Sequence, residues 1–409
     1  MRLKLHILAV VSALLAISSG CATYYAEKVG PTPIMLAEEE IPEDQLLDVG
    51  ILVFKSEAIT EQQAQDQGTN NDIRKAERYF IPYHLKYTLQ QSGQWGAVQV
   101  IPAEADSVDL VIDGQILESN GQYLGLKIEA VDATGRHWFK KNYKAEATDA
   151  SYRDIRPGEK DAFQDVYNAI ANDLAEFKMK LPPGQIDTIR TTAKLKFAEE
   201  FAPAAFKGYL AEDKNNELSI KRLPADDDPM LDRLLKIRER EYMYVDTLNE
   251  YYREYYAAMW SSYGNWRKLN YEEIEAISKI ERSALKQKLL GALLVAGAIA
   301  LNAGEVKNTG ALQVGMILIG GQVIVNGFNV TKEAQIHSAA IKELSESFGS
   351  EMKPIVMEFE GKQYELTGSA QEQFKHWREL LRQIYITETG FDSDILPEDK
   401  EKTTSEDSE

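Results

Sequence analysis

Two stretches of this chain carry no charged side chain, and they lie almost end to end. Residues 289–304 (LLGALLVAGAIALNAG) and 310–331 are separated only by Glu305-Val306-Lys307-Asn308-Thr309. Two helices joined by so short a polar turn have to pack antiparallel. Small residues recur at every fourth place of the first arm, at Ala292, Ala296, Ala300 and Gly304, and the second arm carries Gly310, Gly315, Gly320, Gly321 and Gly327. On a helix this spacing makes a narrow, flat stripe that another backbone can approach closely. At about 1.5 Å per residue the first arm spans about 24 Å, short of a hydrocarbon core of about 30 Å. Gln313, Gln322, Asn326 and Asn329 interrupt the second. Three uses are open to such a hairpin: burial or self-association in protein, insertion into a membrane as one of a ring of hairpins, or docking on a partner. Each is a form of association.

The first 21 residues carry an address. Arg2 and Lys4 precede an apolar run from Ile7 to Ile17, and Ser18-Ser19-Gly20 lead to Cys21, the one cysteine of the chain. The run is too short to span a membrane and is followed by small residues, which predicts a signal peptide over 1–20. The segment around Cys21 resembles the lipobox of bacterial lipoproteins, with Ser18 where leucine is usual. That resemblance implies cleavage before Cys21 and acylation of the new N-terminus, palmitate included. With Ala22 and not Asp after the cysteine, it also implies an outer-membrane, periplasm-facing destination, the protein held to the membrane through N-terminal acyl chains. Loss of Arg2 and Lys4 takes the net charge from −19 to −21. A surface so acidic excludes nucleic acid as the main partner, and a single cysteine excludes an intramolecular disulfide and a cysteine-based zinc site.

The rest reads as α+β. Residues 21–45, with Pro31, Pro33, Pro42 and Glu38-Glu39-Glu40, are expected to form a lipidated tether. Over 46–180 the pattern predicts a sandwich-like α/β domain. It has a strand in 46–54, a polar loop at 62–71, a helix over 73–91, strands over 95–101 and 108–117, and a hairpin of 123–131 with 137–145 across Asp132-Ala133-Thr134-Gly135. A helix over 161–179 closes it. A connector, 181–225, holds a helix over 185–210 that Pro203 should end or kink, and a strand at 218–223. Residues 226–390 read as a mainly helical domain. Asp228-Pro229 starts one helix, Tyr263-Gly264-Asn265 should end it, and a capping box from Asn270 to Glu273 should start the next. The 289–331 hairpin, a helix over 332–348, a small β-hairpin over 354–366 and a helix over 369–387 follow. The acidic segment 391–409 is expected to be disordered.

The first domain resembles a recurring domain of bacterial envelope lipoproteins, found in the curli-secretion-pore lipoproteins and at the N-terminus of TolB-type proteins. The resemblance rests on the first strand, a helix ending near Ser92-Gly93-Gln94-Trp95, a strand pair beginning at Asp109, and the segment KIEAVDATGRHWF. It covers about 130 residues and implies assembly or partner binding, not turnover. No long alternating hairpin pair is present to build a membrane barrel.

Eight tyrosines and two tryptophans fall between Tyr242 and Tyr271. They suit a helical core. They would also suit a stacking surface for glycan, and Tyr251 and Tyr255, off the main apolar face, are then the ligand-contact candidates. No catalytic residue, cofactor or metal ligand is expected. His84, His137, His337 and His376 are scattered, and no nucleophile elbow, phosphate loop or dinucleotide fingerprint occurs. Asp226-Asp227-Asp228 lacks the alternating spacing of a calcium loop. The sequence therefore points to a non-enzymatic outer-membrane lipoprotein that oligomerises or docks onto an envelope assembly for secretion, a surface appendage or polymer export. The alternative is a periplasmic glycan- or peptidoglycan-binding module, or a hydrolase without a recognisable motif.

Overall fold

The structure, a computed structural model, describes residues 31–103, 105, 108–152, 161–301, 332–350, 354–359 and 362–390, without the side chains of 65–66, 280–301, 332–333, 349–350 and 359. The chain divides into two compact units, Met1–Pro33 and Ile34–Glu409. The described part of the first, residues 31–33, has no regular secondary structure.

The second unit is α+β. Its sheet begins with β1 (Val49–Leu52) and β2 (Lys55–Ser56), crosses through α1 (Glu61–Gln67) and α2 (Asn71–Ser92) to β3 (Val98–Ile101), and continues as β4 (Leu110–Ser119), β5 (Tyr123–Asp132) and β6 (His137–Glu146). The strand order is β3-β1-β4-β5-β6, with β2 also on β4; β1 runs parallel to β3 and β4, and β4-β5-β6 is an antiparallel meander. Sequence alternation along β4 puts Leu110, Ile112 and Ile116 inward. The helix α2 starts where Asn70 Oδ1 accepts from the Ile73 N–H and ends at Gly93 in the left-handed region. It packs against the sheet together with α3 (Gln164–Met179).

Beyond it come α4 (Gln185–Phe201), α5 (Pro203–Phe206), the pair β7 (Leu210–Glu212) and β8 (Leu218–Ile220), then α6 (Pro229–Leu301) and α7 (Lys332–Ser350). The hairpin of β9 (Ile355–Phe359) and β10 (Lys362–Leu366) and α8 (Ala370–Thr389) complete the unit. The start of α6 follows the sequence: Asp228 Oδ1 accepts from the N–H groups of Met230 and Leu231, and Pro229 takes the first helical position. Ser369 and Glu372 close a reciprocal capping box on α8.

Several expectations change. The break at Tyr263-Gly264-Asn265 does not occur, and α6 is one helix of 73 residues. Tyr263 and Trp266, on either side of Gly264, are buried and stack on each other, and that packing outweighs the cost of about 1 kcal/mol for a helical glycine. The polar stretch 62–71 is mostly helix, because Thr60 and Gln63 cap each other reciprocally. The helix of 185–210 stops at Phe201, before Pro203, and Leu210 belongs to a strand. The tether is shorter than 21–45: Met35 donates to Asn172 Oδ1 at 2.7 Å, Ala37 to Ser92 O at 2.8 Å, and Arg190 holds the carbonyls of Glu43 and Leu46. The domains 46–180 and 226–390 form a single unit, since α6 supplies Tyr255, Met259, Tyr263 and Trp266 to the core of the first. Of the apolar hairpin, 289–301 is the end of α6; residues 302–331 and the acidic segment 391–409 lie outside the described residues.

Candidate functional site

The charge-free arm is carried by α6, so the site is built from what fixes α6 to the body. Its buried residues begin with Leu234, Ile237, Arg238 and Glu241 and run on through Tyr244, Val245, Leu248, Asn249, Tyr252, Tyr255, Met259, Tyr263, Trp266, Arg267, Asn270 and Tyr271. Steps of three and four keep them on one face without interruption across Gly264.

Polar groups set the register at three levels. At the first, Asn249 closes the outer edge of β3: its Nδ2 donates to Val100 O at 2.9 Å, and its Oδ1 accepts from Val100 N at 2.9 Å and from Lys86 Nζ at 2.9 Å. A helix amide thus satisfies the backbone groups that an edge strand leaves open. At the second, Tyr256 donates to His84 Nδ1 at 2.6 Å while His84 Nε2 donates to Gln164 Oε1 at 2.9 Å. Burial lowers the His84 pKa against the pull of Asp161, so the ring is neutral and carries its proton on Nε2. Close by, Glu77 Oε1 accepts from Tyr263 at 2.6 Å and from Ser119 at 2.5 Å.

At the third level Arg267 Nη1 donates to both carboxylate oxygens of Asp161, at 3.0 and 2.9 Å. Its guanidinium lies over the rings of Tyr263 and Phe163, 4.2 and 4.8 Å from their centroids. Burial works against the Arg267 charge, but Asp161 more than offsets it and the pKa is held above the ordinary arginine value. One turn on, Asn270 Oδ1 accepts from Gly121 N and its Nδ2 donates to Gly68 O, both at 2.6 Å.

Across α6, α7 runs antiparallel. Phe348 packs against Tyr79, Tyr252 and Tyr255, whereas Ala334 and Ser338 stand beside Trp266 and Asn270. From Glu273, at this same level, α6 continues to Leu301. At about 1.5 Å per residue that is about 42 Å of helix, and Leu289, where the charge-free arm begins, lies about 24 Å along it.

Ala292, Ala296 and Ala300 therefore belong to the far end of α6, their side chains outside the description, and Cys21, Gly304, Gly310, Gly315 and Gly320 lie outside the described residues. Tyr255, a contact candidate, lies inside the body and not on its surface. It is 5% exposed and donates to Ala76 O at 3.2 Å, because the buried face of α6 is wide enough to include it. Tyr251 is half-buried, packed against the core cluster that includes Tyr244, Leu248 and Phe374. Asp161, Glu77, Asn249, Arg267 and Asn270 escape a reading of the sequence. The signal available for three of them is that Asn249, Arg267 and Asn270 interrupt an otherwise apolar helical stripe.

Among the described residues no group of three His, Cys, Asp or Glu side chains is placed to hold a metal ion, and no helix is long and apolar enough to cross a membrane. No family model matches the chain, and no curated protein matches it.

Proposed function

We propose that this chain is a lipid-anchored protein of the bacterial outer membrane that catalyses no reaction and acts by holding a helical arm to another protein, foremost a second copy of itself, within an envelope assembly. One observation carries the proposal: the seat of α6 and the small-residue stripe at Ala292, Ala296 and Ala300 belong to one uninterrupted helix. A stripe mounted in this way loses little conformational entropy when a partner packs on it. The Cys21 context and the resemblance of 46–180 to envelope lipoprotein domains support the address.

The test uses the full chain expressed in a Gram-negative host and extracted in a mild detergent. Radiolabelled palmitate is incorporated into the wild type and not into Cys21→Ala. The extracted protein sediments as a discrete oligomer, and Ala296→Leu with Gly315→Leu converts it to a monomer of unchanged circular dichroism. A wild type that is monomeric at micromolar concentration, or an oligomer indifferent to both substitutions, overturns the assembly reading.

A further inference from the structure

Beside the seat, between residues 64–70, α6 and α7, lies a cleft of about 510 Å³, a volume in the range of small-molecule sites. Trp266 and the small residues Ala64, Gly68, Ala334 and Ala339 form its apolar walls. Most of its polar groups are occupied. The Asn270 amide bonds Gly121 and Gly68, Asn70 caps α2 and donates to Ser338, and the Lys342 ammonium stands 3.4 Å from Asp72 and 3.8 Å from Glu346.

Two groups are not. Thr69 is 8% exposed, and its buried Oγ1 has no hydrogen-bond partner. Glu273, half-buried on α6, has no ion pair or hydrogen bond among the described residues. An unpaired carboxylate withdrawn from water is costly, as is an orphaned hydroxyl; burial accordingly raises the Glu273 pKa. An anionic ligand would meet Glu273, while Lys342, the one cation lining the cleft among the described residues, is already shared between two carboxylates. A hard metal ion would require more oxygen ligands than one carboxylate and one hydroxyl supply.

We propose that this cleft binds a primary alkylammonium group, with its cation paired to the Glu273 carboxylate, a hydrogen bond to Thr69 Oγ1, and its alkyl body along Trp266 and the alanines. The binding is independent of the assembly reading, since every residue it uses lies at the seat and none on the charge-free arms.

The test is calorimetric titration of the detergent-solubilised full chain with n-pentylamine, with n-pentanol as the neutral match and Nα-acetyl-lysine methylamide as a lysine side chain on a peptide. Pentylammonium binds at least tenfold more tightly than pentanol. Glu273→Gln, at a half-exposed position that leaves circular dichroism unchanged, removes that preference, and Thr69→Val weakens amine binding several-fold. The tighter of the two amines says whether the natural cation is a free amine or a lysine side chain. Equal binding of pentanol, absence of binding by both amines, or undiminished amine affinity in Glu273→Gln overturns the proposal.

Discussion

Arg267 and Asp161, 106 residues apart in the sequence, meet through one guanidinium nitrogen that reaches both carboxylate oxygens, with side chains 1% and 6% exposed. A buried ion pair is costly to assemble and more costly to break, because removal of one charge strands the other in a low dielectric. Arg267→Met should cost about 3–5 kcal/mol. Asp161→Asn should cost a comparable amount while keeping the oxygen that accepts from Phe163 N. The double variant should be more stable than the sum of the two losses implies, by more than about 1 kcal/mol. Urea unfolding of all four proteins measures the coupling; additive losses would show that the two charges do not act as a pair.

Gly264 sits exposed inside α6, and a Cβ built there meets nothing within 4 Å. Gly264→Ala should therefore stabilise the protein by about 0.5–1 kcal/mol, through helix propensity alone. Thermal unfolding checks this. A loss of stability would mean that the chain turns at Gly264 after all.

The reverse holds at Gly121, where the backbone of α6 comes so close that a Cβ would press on Arg267 O and Tyr271 N. Neither atom can move without disturbing the helix. Gly121→Ala should destabilise the docked helix by about 1–3 kcal/mol, with faster proteolysis in 229–279 as its signature. Unchanged protease resistance would argue against so close an approach.

Two buried groups should give stability opposite pH slopes. Glu241 is paired with Arg378 at 3.0 Å, yet burial outweighs that pairing and lifts its pKa to about 7 from an ordinary 4.5. Between those values the native state keeps a proton that the unfolded chain has released, so stability falls as pH rises from about 4.5 to about 7. Glu241→Gln should remove that decline, up to about 1.4 kcal/mol per pH unit. His84 works the other way. Its pKa lies below the ordinary 6.5, so the unfolded chain binds a proton that the native state refuses, and stability falls as pH drops below about 6.5. Chemical denaturation at pH 5, 6, 7 and 8 separates the two, and a Glu241→Gln profile parallel to wild type would remove Glu241 from the account.

Local chemistry made much of the fold legible. The turn Asp132-Ala133-Thr134-Gly135, the start at Asp228-Pro229 and the last helix from Ser369 appear where side-chain hydrogen bonding and backbone preference place them. These signals act within a few residues, and few distant contacts contradict them. Gly264 shows the limit: its local preference is for a break, and the burial of Tyr263 and Trp266 against Phe80, Glu77 and Arg267 overrides it. Tyr255 is buried for a related reason. The face that α6 buries is set by how many elements surround it, which the spacing of its apolar residues does not reveal.

By itself, the sequence determined the α+β class, the alternating strands, the helix start at Asp228-Pro229 and the two charge-free arms, because each depends on residues near one another in the chain. It also determined where charge is absent, and so where association is expected. Only the tertiary structure decided that residues 289–301 of the first arm are the end of a helix anchored at Asn249, Arg267 and Asn270, and that Ile34 onward belongs to the body. Those outcomes turn on pairings such as Arg267 with Asp161 and Asn270 with Gly121. Their partners lie more than a hundred residues away, and their strength comes from the water that folding excludes around them.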